Sequence, residues 1–191
     1  MAAQPSGEIS ALGDQTAPMH VVLFGATGTI GRAVLSRLIE GGHTVTCIVR
    51  PGSGAGLPAD VSVKECRLAP EAISQAFEGS AVDAVISCLA SRSGRAADAW
   101  AIDHAAHRAI LNAAEAAGVG QMILLSALCV QRPKLAFQRA KLAFEAELRA
   151  SQLNWSIVRP TAFFKSLSGQ VERVQRGKPF LVFGDGRLTA C

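Results

Sequence analysis

One stretch, His20 to Gly31, constrains the fold more than any other. A short apolar run, Val21-Val22-Leu23-Phe24, is followed at once by Gly25-Ala26-Thr27-Gly28-Thr29-Ile30-Gly31. An apolar run bounded by a turn signal reads as a buried strand, and Ile30, Val34, Leu35 and Leu38 then recur at helical spacing. Strand, glycine turn and helix, in that order, are the frame in which G-x-x-G-x-x-G binds a dinucleotide. Each glycine has its own reason. Gly25 takes backbone angles that a side chain forbids. Gly28 lets the main chain approach a pyrophosphate, and Gly31 lets the helix pack closely on the strand. The helix N-terminus adds unpaired N–H groups and a positive dipole end. Thr27, Thr29 and Ile30 belong to the same turn and are expected beside the cofactor.

Downstream, strand and helix patterns alternate. Gly41-Gly42 ends the first helix and Thr44 to Val49 reads as a second strand, with Arg50 next. An acidic residue at this point would hold a ribose 2′-hydroxyl. None is present before Asp60, and a cation suits a 2′-phosphate, so NADP is expected over NAD. Arg32 is a second candidate for that phosphate; for either arginine the alternative is a solvated surface position. Pro51 to Pro58 is a loop, Val61 to Cys66 a strand and Pro70 to Phe77 a helix. The strand Val82 to Leu89 ends in Ser87-Cys88-Leu89-Ala90-Ser91, whose small residues let a cofactor lie against the backbone. Arg92 and Arg95 follow in what reads as a solvated loop, the alternative being a contact with a substrate carboxylate.

A helix is expected from Ala97 to Ala117, closed by Gly118. His104 and His107 on it have i, i+3 spacing, but no third metal ligand accompanies them, so they read as polar-face residues and no metal is expected. Gln121 to Leu125 is a strand ending at Ser126. Pro133 then opens a helix to about Ser151, in which Leu135, Leu142, Phe144 and Leu148 read as core. Trp155 to Val158 is a further strand, followed by Arg159-Pro160-Thr161. A helix from Lys165 to Arg176, a strand from Phe180 to Phe183 and a turn at Gly184-Asp185-Gly186 complete the pattern. Alternation of this kind predicts an α/β fold, a Rossmann-like doubly wound parallel sheet with helices on both faces. The glycine turn, Ser91, Ser126 and Pro160 then share the carboxyl edge of the sheet and one crevice.

A chain of 191 residues suffices for one domain with a core, and 49% hydrophobic residues exclude a disordered chain. No apolar run is long enough to span a bilayer. The first eighteen residues carry no Lys or Arg and read as a loose tail rather than a signal peptide. Cys47, Cys66, Cys88, Cys129 and Cys191 are scattered and odd in number, which suits buried free thiols in a reducing, cytoplasmic setting. The net charge of +4 fits an anionic ligand and gives no footprint for nucleic acid. Tyrosine is absent altogether.

The glycine turn, Ser126, Lys141 and Arg159-Pro160 together resemble the short-chain dehydrogenase/reductase superfamily, in its atypical branch of isoflavone-reductase-like and NmrA-like proteins. That superfamily has a Ser and then Tyr-x-x-x-Lys; here Phe137 stands at the Tyr position and Lys141 at the Lys, fifteen residues beyond Ser126. Longer strings narrow the resemblance. Leu125 to Gln131, Phe137-Gln138-Arg139-Ala140-Lys141-Leu142, Ser156 to Leu167, Ser87 to Arg92 and Phe183 to Gly186 are similar to the NADPH-dependent divinyl chlorophyllide 8-vinyl reductase family.

The resemblance implies NADPH as cofactor and a tetrapyrrole substrate, divinyl chlorophyllide or protochlorophyllide, whose C8 vinyl group is reduced to ethyl in chlorophyll or bacteriochlorophyll synthesis. It implies Lys141, which holds the nicotinamide ribose, and Ser126 as catalytic residues. Gly25, Thr27, Gly28, Thr29, Ile30, Gly31, Arg50, Leu89, Ala90, Ser91, Ser126, Lys141, Pro160, Thr161 and Phe163 would line the cofactor, and Phe163 and Phe164 are suited to stack on a flat macrocycle. Phe137 has no proton to give, so carbonyl reduction by the tyrosine route is not expected. The family continues beyond the point matching Cys191. The expected division is therefore a tail (1–18), an NAD(P)-binding Rossmann domain (19–162) and the beginning of an incomplete substrate region (163–191). A hydrophobic pigment would suit peripheral membrane association without an integral segment. Two alternatives stay open: an NmrA-like NADP sensor without turnover, and an NADPH reductase of another enone or quinone.

Overall fold

The structure is a computed structural model and describes residues 17–79, 81–128, 130–161 and 168–181. Its elements run β1 (His20–Phe24), α1 (Thr29–Glu40), β2 (Thr44–Val49), β3 (Ser62–Glu65), α2 (Pro70–Ala76) and β4 (Ala84–Ser87). Then come α3 (Ala96–Ala99), a π-helical stretch (Trp100–Ala106), α4 (His107–Ala116), β5 (Gln121–Leu125), α5 (Ala136–Ala150), β6 (Asn154–Val158) and α6 (Ser168–Gln175). The six strands form one sheet in the order β3-β2-β1-β4-β5-β6. Every pairing is parallel. This is the expected Rossmann-like order, with the strand order reversing between β1 and β4, where such sheets open a crevice for ligands.

Period-two alternation places successive strand residues on opposite faces. Val22, Phe24, Val85, Met122 and Leu124 pack with Ile73, Ile110, Phe144 and Leu148 of α2, α4 and α5. Leu23, Val45, Cys47 and Val49 pack instead with Leu35 of α1, and Val34 and Leu38 flank them. Each such aliphatic or aromatic side chain contributes roughly 1.5–3 kcal/mol when fully buried. The core therefore clamps β1 and β4 from both sides and holds their carboxyl ends in fixed relation.

Several elements differ from expectation. The helix expected from Ala97 to Ala117 is interrupted by the π-helical turn, where the carbonyl of Ile102 accepts a hydrogen bond from the His107 ring Nδ1 at 2.8 Å. α5 begins at Ala136 rather than Pro133, because the Gln138 side chain accepts from the N–H of Lys134 at 2.8 Å and of Leu135 at 2.9 Å. Leu135 consequently sits at the N-cap, 57% exposed, and is not core; Leu142 is half-buried. Phe180 and Leu181 are irregular, and the rest of the expected strand, the turn 184–186, Cys129, Cys191, Phe163, Phe164 and nearly all of the expected tail lie outside the described residues. Cys47 and Cys66 are buried free thiols and Cys88 is half-buried. Burial pushes the Cys47 and Cys88 thiols up to about 11, and for Cys88 the nearby Lys141 charge only partly opposes this. Thiols in such surroundings are unreactive. No described helix is long and apolar enough to cross a membrane.

Candidate cofactor site

The glycine turn is fixed largely by its own backbone. Gly25 has φ +82°, and a Cβ there would lie 2.8 Å from the carbonyl carbon of Cys88 at the end of β4. A Cβ on Gly31 would fall 2.0 Å from the carbonyl oxygen of Gly25, so the close packing that requires this glycine is against the turn rather than the strand. Gly28 is different. Its N–H donates to Gly25 O at 3.0 Å, yet a Cβ on it would meet only that oxygen, at 3.3 Å, with open space otherwise. Nothing inside the chain demands a glycine there; an approaching ligand would. Gly28 is also the N-cap of α1, with no side-chain cap and no acid in the first turn. The N–H groups of a first helical turn have no acceptor within the helix, which suits an anion, and no acidic residue of this turn opposes one. These features fit a dinucleotide pyrophosphate.

Beyond the turn, the two arginines separate. Arg32 donates to the Thr27 carbonyl at 3.3 Å and to the Gly56 carbonyl at 3.0 Å, tying the turn to the loop after β2. Arg50, at the end of β2, is exposed, and its guanidinium makes no hydrogen bond or ion pair among the described residues. Leu89 is half-buried and Ala90 exposed beside the turn. Arg92 and Arg95 are exposed, as the solvated reading expects, in a loop held by Asp98 through the N–H groups of Arg92 at 3.0 Å and Ser93 at 2.9 Å.

Two buried polar clusters stand at the carboxyl ends of β4, β5 and β6. In the first, Asp103 accepts from the Ser91 hydroxyl at 2.5 Å and the Ser91 N–H at 3.3 Å. The Lys141 ammonium lies 3.1 Å from Asp103 Oδ1 and donates to the Leu125 carbonyl at 3.3 Å. In the second, the Ser126 hydroxyl donates to Glu145 Oε1 at 2.6 Å, and Arg159 Nε donates to the same oxygen at 3.0 Å. Arg159 Nη2 and Arg149 Nη2 both reach Glu145 Oε2. Burial raises the Glu145 carboxyl, but the hydrogen bonds from Arg159 and Ser126 and the two guanidinium charges outweigh it and hold the group below its usual range. Pro160 and Thr161 follow Arg159 directly, and the Pro160 carbonyl accepts from the Leu128 N–H at 2.9 Å.

Lys141 and Ser126, expected fifteen residues apart in one site, thus lie beside one another across the end of β5. Asp103 and Glu145 were not expected there. The signal for Glu145 is in the α5 pattern: Ala140, Lys141, Phe144, Glu145 and Leu148 form one buried face, so two charges occupy core positions of an amphipathic helix.

The histidine pair splits. His104 is half-buried and bonds Glu147 at 2.9 Å, as a polar-face residue should. His107 is wholly buried, a correction with a clear cause: Ile102 O takes its Nδ1–H, and Ser87 Oγ donates to Nε2 at 2.9 Å, so both nitrogens are satisfied in the core. Among the described residues no group of three ligating side chains is placed to hold a metal. Burial, reinforced by the Lys141 charge, lowers the His107 pKa to about 4. In the unfolded chain it titrates near 6.5, so the unfolded state binds the extra proton between those values. Stability is therefore expected to fall by about 3 kcal/mol as pH drops from 7 to 4. Urea unfolding across that range should show the loss, and His107→Gln should flatten it; an equally steep profile in the variant would refute this source.

The chain's similarity to known proteins agrees with this geometry. It is 45% identical to "Divinyl chlorophyllide a 8-vinyl-reductase, chloroplastic" of Arabidopsis thaliana over 91% of this chain and 46% of that protein. "Photosystem II assembly factor Ycf39" of Synechocystis is 29% identical over 80% of this chain and 47% of its own length. The chain therefore spans about half the length of these relatives. The Bordetella bronchiseptica enzyme WbmG, solved in complex with NAD, shares the fold with a TM-score of 0.74 at 20% identity, covering 87% of this chain and 63% of that one. The NAD(P)H-binding family profile matches residues 25–186, and the chain belongs to that family.

Proposed function

We propose that this chain is the cofactor-binding half of an NADPH-dependent reductase that converts the C8 vinyl group of divinyl chlorophyllide or protochlorophyllide to ethyl. The observation that carries the reading is the 45% identity to the Arabidopsis reductase across 91% of the chain. The uncapped first turn of α1 and the open space at Gly28 support pyrophosphate binding there. Thr27, Thr29 and Ile30 complete the turn, and Leu89, Ala90 and Ser91 flank it from the loop after β4. The exposed guanidinium of Arg50 favours a 2′-phosphate, hence NADPH over NADH. Among the described residues the Lys141 ammonium donates to the Leu125 carbonyl and pairs with Asp103, and its remaining donor capacity suits a ribose hydroxyl. Ser126, Pro160 and Thr161 form the nicotinamide side in this reading.

Bound NADPH supplies the hydride. The chain's own part is to orient it, and Phe137, without an ionisable proton, leaves protonation to another source. Residues 19–162 are the cofactor domain and 163–191 begin the substrate side. The free thiols suit a reducing compartment, cytoplasmic in this reading although the plant relative is named chloroplastic, and a pigment substrate suits peripheral contact with a membrane.

NADPH titration of the chain, with divinyl chlorophyllide added while the Soret band is followed, tests the reading. Tight NADPH binding with weaker NADH binding is expected, together with a blue shift in the chain extended to the relatives' full length. Absence of NADPH binding would overturn the cofactor assignment; binding without any shift in the extended protein would overturn the reductase. The similarity to the Ycf39 assembly factor favours, in that last case, a binding protein without turnover.

A further inference from the structure

We propose that Asp103 is a positioning residue of the cofactor site, the carboxylate that sets Lys141 and Ser91 where the nicotinamide half of the cofactor is held; this rests on the cofactor reading above. Asp103 is 1% exposed and holds two hydrogen bonds and one ion pair, drawn from two different elements. Ser91 gives it both an O–H and an N–H from the loop after β4, and the Lys141 ammonium of α5 pairs with it at 3.1 Å. Lys141 in turn holds the Leu125 carbonyl at the end of β5. One carboxylate therefore joins the carboxyl ends of β4 and β5, the strands on one side of the switch point.

Stability alone is a weak reason for such an arrangement. Removing two opposite charges from water costs much of what their attraction returns, and apolar side chains of similar volume often serve as well. Asp103 also lies in the π-helical turn, a departure from regular helix that recurs at functional sites. The geometry has a direct effect on ligand binding. The lysine head group, on a flexible stem, is held between the Asp103 carboxylate and the Leu125 carbonyl and presents its open side in one direction. The Ser91 hydroxyl gives its hydrogen to Asp103 and so meets a ligand as an acceptor. Asp103 touches neither cofactor nor substrate in this reading; it acts through these two side chains.

The test separates this role from a merely structural one by using the two ends of the cofactor. In the full chain, Asp103→Asn is expected to raise the NADPH dissociation constant by about tenfold, the loss of a charge-assisted bond. Binding of 2′,5′-ADP, which lacks the nicotinamide ribose, is expected to stay within about twofold, because its contacts are remote from Lys141. A general loosening of the fold would weaken both ligands together, and that result, or unchanged NADPH binding, overturns the inference. If Asp103→Asn does not fold, Asp103→Glu carries the test: it keeps the charge, displaces the carboxylate by one methylene and should weaken NADPH selectively. Wild-type chain that binds neither ligand would overturn the cofactor reading itself, which is a different result from wild-type binding that the variants leave untouched.

Discussion

Gly31→Ala is expected to destabilise the chain by more than about 3 kcal/mol and to abolish NADPH binding with it. The new Cβ would lie 2.0 Å from the Gly25 carbonyl oxygen and 2.7 Å from its carbonyl carbon. Both are backbone atoms, held by a turn whose other side already abuts Cys88, so neither side of the contact has room to yield. Relief requires α1 to move away from the turn, taking Leu35 out of the core it shares with Leu23 and Val45. Gly28→Ala provides the contrast. Its Cβ meets one oxygen at 3.3 Å, and its φ of −77° is open to any residue. Stability should therefore change by less than about 1 kcal/mol, while NADPH binding weakens because the methyl occupies the pyrophosphate's approach. Urea unfolding and NADPH titration of the two variants give the comparison. Equal loss of stability in both would refute the division of labour between the two glycines.

The second large effect belongs to Glu145. Glu145→Gln is expected to cost about 3 kcal/mol, toward the lower end for breaking a buried pair because Arg159 and Arg149 keep some contact with water. The amide leaves two guanidinium groups facing a neutral side chain that is itself fully buried. The acid limb of the stability profile should change as well. The Glu145 carboxyl is held below its unfolded value of about 4.5, so its contribution is complete above that pH and is lost as pH falls through the lower folded value. Wild-type chain should thus lose stability below about pH 4.5, at the acid end of the window assigned to His107 and beyond it, and the variant should lack that step. A variant as stable as wild type in urea at pH 7 would show the cluster to be without weight.

The half of the molecule that binds cofactor was legible because its signal is local. Strand, glycine turn and helix lie within His20 to Glu40, and the steric demands of Gly25 and Gly31 are met by atoms a few residues away or on the adjoining strand. The parallel, doubly wound sheet followed from alternation, and the residues on its carboxyl edge from the handedness of crossovers. What stayed hidden depends on partners distant in sequence. Lys141 finds Asp103, and Glu145 finds Arg159, across gaps that no periodic pattern reports. Periodicity reads a polar side chain as solvated, so His107 was placed on a polar face and not in the core it occupies. Leu135 was misplaced for the opposite reason: an apolar residue reads as core, but the Gln138 side chain starts the helix at Ala136 and leaves Leu135 at the cap.

Lys141 and Glu145 stand one turn apart on α5, and their partners carry charges in the reverse order: Asp103 faces the lysine, Arg159 the glutamate. A helix docked one turn out of place would set Glu145 against Asp103 or Lys141 against Arg159, like charge against like in a dry interior. The leucine and phenylalanine of the same face are far more tolerant of such a slip, since greasy surfaces of similar size exchange places at small cost. Misdocked forms of the folding chain are therefore penalised more than the native form is favoured, and α5 settles in a single alignment on the sheet.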